Sequence, residues 1–164
     1  MSVQITIQGN VIDFPTSGSS PNWAPAVVDF AQAVETALEG VTGEYDIAPQ
    51  SLDILNNQTS TTDLVGIAFP STAVRSFTIT YTIYRSATSP STGLSESGTI
   101  IGVYDDLASN WILQREFVGD DAGVTFDIEN VLAGQLKYSS SFINPGTGYS
   151  GKITLLARTL KKGE

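Results

Sequence analysis

The chain of 164 residues contains no cysteine and no histidine. Without cysteine there is no disulfide, no thiol nucleophile, no iron–sulfur cluster and no thiolate zinc site. Without histidine there is no Ser-His-Asp triad and no imidazole-ligated metal. Bases are scarce: 8 Lys+Arg stand against 17 Asp+Glu, for a net charge of −9. Such a chain has no basic stripe to neutralise phosphates, so nucleic acid is a poor partner. Charged residues make up only 15% of the whole, against roughly 25% in ordinary soluble domains. No apolar run approaches the ~20 residues of a membrane span, so membrane insertion is not expected. Met1-Ser2-Val3-Gln4 carries no basic stretch ahead of an apolar run, so a standard secretory signal is not expected either. What is present is 41% hydrophobic residues, enough for one core and an appended arm.

Charge divides the sequence. Met1 to Val74 holds no Lys or Arg but eight acids, whereas from Arg75 onward nine acids face eight bases. We read residues 1–50 as an arm and helix, and residues 51–164 as a β domain. In the first region Val3-Gln4-Ile5-Thr6-Ile7-Gln8 alternates apolar and polar, the mark of a half-buried strand, and Gly9-Asn10 ends it. Pro15 to Pro21 is a loop by composition. A helix follows, with Asn22 as N-cap and Pro25 in the first turn. Val27, Phe30, Ala31, Val34 and Leu38 recur at helical spacing and form one apolar stripe, and Gly40 stops the helix. A helix of this length is marginal alone in water. Its stripe must dock, either on its own sheet or on the same helix in sister chains. Trp23, at the helix start, staples it to that neighbour. Val41 to Pro49 reads as a second loop.

The second region reads as β throughout. Its clearest strand is Phe77 to Tyr84, with apolar odd positions and mostly Thr at even ones. Further strands are expected near 64–69, 98–105, 110–118, 123–128, 134–140 and 151–160. Turns are expected at Ser89 to Gly93, Ser109-Asn110, Gly119 to Asp121 and Asn144 to Gly146. This spacing predicts an antiparallel β-sandwich of jelly-roll type.

Several segments carry hints of chemistry. Gly146-Thr147-Gly148-Tyr149-Ser150-Gly151-Lys152 matches a Gly-rich phosphate loop in letters, but Ile153 replaces the magnesium-binding hydroxyl and a strand follows where a helix is required. A glycine-rich hairpin is the better reading. Asp105-Asp106 and Asp120-Asp121 lie in loops. Asp favours turns by bonding nearby backbone; the alternatives are a calcium site or a glycosidase pair. Asn57-Gln58-Thr59 is a chance sequon. Tyr149, Tyr104, Trp111 and Tyr84 are candidate sugar platforms, with core packing the plainer reading for Trp111 and an exposed position expected for Tyr149. The 18 Ser and 18 Thr are spread along the chain, which gives the sheet an outer face that is wet without charge.

Ile12-Asp13-Phe14-Pro15-Thr16-Ser17-Gly18, then Pro21-Asn22-Trp23 and the helix from Val27 to Leu38, resembles the N-terminal part of small structural proteins of tailed bacteriophages. Gly134 to Ser141 and Gly148 to Arg158 are similar to the C-terminal strands of the same proteins. The resemblance implies a virion protein (fibre, spike or capsid decoration), often trimeric, with no catalytic residues and no cofactor. It implies partners in other copies of itself and in capsid or tail proteins, and host surface glycans as a further partner. The alternative is a carbohydrate-binding module working through Tyr149, Tyr104 or Trp111. An enzyme built on Asp106 or Asp121 needs two carboxylates sharing one cleft, and nothing in the sequence specifies that.

Overall fold

The computed structural model describes residues 2–7, 10–15, 27–34, 43–88, 91–128, 132–144 and 148–163. It divides into two compact units, Met1–Glu44 and Tyr45–Glu164. In the first, β1 (Ser2–Ile7) and β2 (Asn10–Pro15) form an antiparallel hairpin, with Ile7 opposite Asn10 and Ser2 opposite Pro15. The alternation from Val3 foretold β1. β2 is unforeseen: Asn10, expected to end the strand, is the first residue of β2. One edge of β1 is therefore taken by β2. Residues 27–34 are helical (α1), and the expected flanks, with Trp23 and Leu38, fall outside the described residues.

The second unit is a sandwich of two antiparallel sheets. Its strands are β3 (Ile47–Asp53), β4 (Thr62–Ala68), β5 (Val74–Thr88), β6 (Ser91–Asp105), β7 (Asn110–Gly119), β8 (Val124–Ile128), β9 (Gln135–Ser140) and β10 (Tyr149–Lys161). Five strands run β3-β10-β5-β6-β7, and three run β4-β9-β8. Every strand expected in this region is present. β3 is the addition, and it moves the start of the β unit ahead of residue 51. Its Pro49 argued for a loop, yet proline is tolerated on a sheet edge, and β3 is the edge neighbour of β10 alone.

The core lies between the two sheets. β5 contributes Phe77, Ile79, Tyr81 and Ile83, and β10 contributes Ile153, Leu155 and Ala157. From the smaller sheet come Leu64, Ile67, Val124, Leu136 and Tyr138. Phe69 stacks on Phe77 at 3.9 Å between ring centroids. Gly102 sits beneath that stack, where any Cβ would collide with the Phe77 ring. The turn expected at residues 89–93 is shorter than composition suggested: Ser91, Thr92 and Gly93 pair with Thr88, Ala87 and Ser86 inside the β5–β6 hairpin. Gly93 suits a strand here because the Tyr84 side chain lies across it.

Candidate interaction surfaces

The helix stripe is only partly where expectation put it. Val27 is 52% exposed and Phe30 37% exposed. Ala31 is exposed as well, Val34 is half-buried, and the residue that α1 buries is Ala33. Ala33 lies about a third of a turn away from the stripe.

The three named aromatics are buried or half-buried, and each is engaged within the chain. Trp111 is 6% exposed and packs edge-on with Tyr104 at 5.3 Å and against Phe77 at 5.2 Å. Tyr104 is half-buried, with the Lys162 ammonium 4.9 Å from its ring centre. Tyr149 was expected to be exposed and is half-buried. Its hydroxyl donates to the Ile54 carbonyl and accepts from Arg85 Nε, both at 2.9 Å. Its place opposite Ala87 at the start of β10 turns the ring toward Arg85. Tyr84, on the outer face of β5, is the aromatic candidate that stands out, at 54% exposure.

The acidic doublets hold turns and ion pairs. Asp105 Oδ1 accepts from the N–H groups of Leu107 and Ala108. Asp120 Oδ2 accepts from Ser95 N–H at 3.0 Å, and Asp121 Oδ1 from Gly123 N–H at 2.8 Å. Asp106 pairs with Lys162 and with Arg75, and these contacts, the Lys162 hydrogen bond first, hold its carboxyl below the usual carboxylate range. Among the described residues no three acidic groups gather as a metal ion would require. The glycine-rich segment leads into β10, a strand, as its residues foretold.

Two buried polar clusters escaped the sequence reading. Arg85 is fully buried, and every acceptor around it is a neutral oxygen. Nη2 donates to Ser141 O at 2.7 Å and Asn56 Oδ1 at 3.3 Å, while Nη1 donates to Ala122 O and to Ser141 Oγ at 3.4 Å. A buried guanidinium is costly unless its donors are satisfied, and here backbone and amide dipoles do that. The second cluster joins Glu96, Arg115 and Tyr81. Glu96 Oε1 meets Arg115 Nη2 and accepts from Tyr81 O–H at 2.7 Å, and Glu96 Oε2 accepts from Ala122 N–H at 3.0 Å. Burial, reinforced by the bond to Glu96, pushes the Tyr81 phenol up to about 12. Burial works against the Arg115 charge, but the bonds to Glu96 and Tyr81 more than offset it and raise its pKa.

The clusters share one peptide. Ala122 gives its N–H to Glu96 and its carbonyl to Arg85. Gly123 follows with φ +64°, and a Cβ there would strike Ser141 Oγ. The loop from β7 to β8, which carries Asp120 and Asp121, is thus pinned from both sides. The signal was parity: Arg85 continues the inward series of Phe77, Ile79, Tyr81 and Ile83, and Arg115 shares a side with Trp111 and Leu113.

No family model matches the chain, and no curated protein does. Among solved structures it is similar to the tailspike protein of Acinetobacter baumannii phage AM24, at 13% identity and a TM-score of 0.31, over 72% of this chain and 26% of that one. The chain thus spans about a quarter of that tailspike's length.

Proposed function

We propose that this chain is a structural subunit of a bacteriophage virion: a homotrimeric fibre, spike or capsid-decoration protein, anchored through its N-terminal region, with the β-sandwich presented outward. The observation that carries the reading is the exposure of Val27 and Ala31 on α1. Apolar side chains in that position are stabilised by a neighbour that removes them from water. The neighbour is the same helix of sister chains, and the number three comes from the bacteriophage proteins that the sequence resembles. The sandwich supports the role differently. It completes a core without cysteine, and its loop carboxylates are engaged in turns and ion pairs rather than set around a cleft. The role is structural and not catalytic.

The test is peptide mass spectrometry of purified particles of the phage whose genome encodes the chain. The reading expects the chain in the particle at a copy number divisible by three. Absence from the particle overturns it.

A further inference from the structure

The outer face of the five-stranded sheet is built in cross-strand rows. One row runs Leu160–Ser76–Val103–Ile112 across β10, β5, β6 and β7. The next runs Arg158–Thr78–Ile101–Gln114 over the same strands. Leu160 is 69% exposed, Ile112 57%, Val103 44% and Ile101 43%. The register therefore collects four exposed apolar side chains into two adjacent rows. No outward position of β5 from Ser76 to Ser86, or of β6 from Gly93 to Val103, carries a charge. Charge stands only to either side of this centre: Arg158 and Lys152 on β10, paired with Asp46 and Asp53, and Glu116 on β7.

We propose that this face is a sheet-on-sheet interface between two copies of the chain, related by a two-fold axis that runs along the strands between β5 and β6. That operation lays β10 of one copy on β7 of the other, and β5 on β6. Leu160 then meets Ile112 of the second copy. Val103 and Ile101 gather around the axis with Ser76 and Thr78. Arg158, held by Asp46, lies over Gln114 of the second copy. A two-fold contact needs a surface that complements its own image, and in this orientation Leu160 meets Ile112 while Val103 and Ile101 meet uncharged Ser76 and Thr78. An uncharged centre with a charged rim is the ordinary anatomy of such contacts. At ~4.8 Å per strand and ~3.4 Å per residue the face spans roughly 700 Å², close to the ~800 Å² each partner gives a standard interface. This contact is separate from the helix contact above and stands without it.

Because the chain has no cysteine, introduced thiols report alone. The full-length Leu160→Cys/Ile112→Cys variant, treated with a short bis-maleimide, is expected to give a covalent dimer on a denaturing gel. Neither single variant is, because neither residue faces its own image. No dimer from the double variant, or equal dimer from a single one, overturns the proposal. Val103→Lys places two ammonium groups at the axis and is expected to halve the mass measured by sedimentation velocity; an unchanged mass at every concentration contradicts the contact. In a Val27→Asp/Phe30→Asp background the cross-link is expected to persist. Loss of the helix contact and loss of the sheet contact are therefore read separately.

Discussion

The helix and the sandwich treat side chains in opposite ways. The sandwich closes a core between its sheets and seals Arg85 and Glu96 inside, while Val65, Leu107 and the outward Val103, Ile112 and Leu160 stay exposed. Among its described residues the helix leaves Val27 and Val28 half exposed and buries the small Ala33. The sandwich supplies enough neutral acceptors to bury a guanidinium without a carboxylate beside it. The difference separates a unit that closes its own core from a helix whose apolar residues, on the proposed reading, are covered by another chain.

The comparison breaks first at Arg85. Arg85→Met strips donors from the Tyr149 hydroxyl and from the carbonyls of Ala122 and Ser141. Leaving those buried acceptors bare costs about 3 kcal/mol or more, a fall in Tm on the order of 10 °C, readable by calorimetry. A change under about 1 kcal/mol would show that the sandwich does not depend on this cluster. Glu96→Gln comes next. It removes the negative charge that Arg115 meets and sets an amide NH2 donor against either the Ala122 N–H or the Tyr81 and Arg115 donors, for a loss of about 2 kcal/mol in urea unfolding. Adding Arg115→Met should restore part of that loss, since the two residues act as a unit.

Tyr81 sharpens the comparison through pH. Its phenol is raised to about 12 in the fold, from 10.0 in a free chain. Between those values the unfolded chain gives up this proton and the folded one keeps it. The contribution is whole below pH 10 and is lost as pH climbs through about 12. Tyr81→Phe should flatten that alkaline decline by about 1–2 kcal/mol in stability measured from pH 9 to 12. A decline of equal steepness in the variant would remove Tyr81 as its source. The smallest effect on the sandwich belongs to Val27→Asp/Phe30→Asp, which should leave its unfolding within about 0.5 kcal/mol while changing the mass of the assembly.

The same contrast explains what could be read in advance. Strands such as Phe77 to Tyr84 were legible because alternation of side chains is a local property with period two. β3 was not, since an edge strand carrying Pro49 is recognised only through its pairing with β10, about a hundred residues away. The polar clusters were hidden for a related reason. Arg85 sits in phase with its buried neighbours, but its acceptors come from loops at Asn56, Ala122 and Ser141, which only the folded sandwich brings together. Asp120 and Asp121 read correctly as turn residues because their bonds stay close to home or reach just across the adjoining hairpin. For Tyr149, a glycine-rich setting suggested an open ring, while its partner Arg85 lies on another strand.

Sedimentation equilibrium of the full-length chain, beside its Val27→Asp/Phe30→Asp variant, goes most directly to the matter. The account predicts three chains for the wild type, or six where the sheet faces also pair, and loss of the three-fold multiple in the variant. A wild type that stays a single chain across the whole concentration range contradicts it.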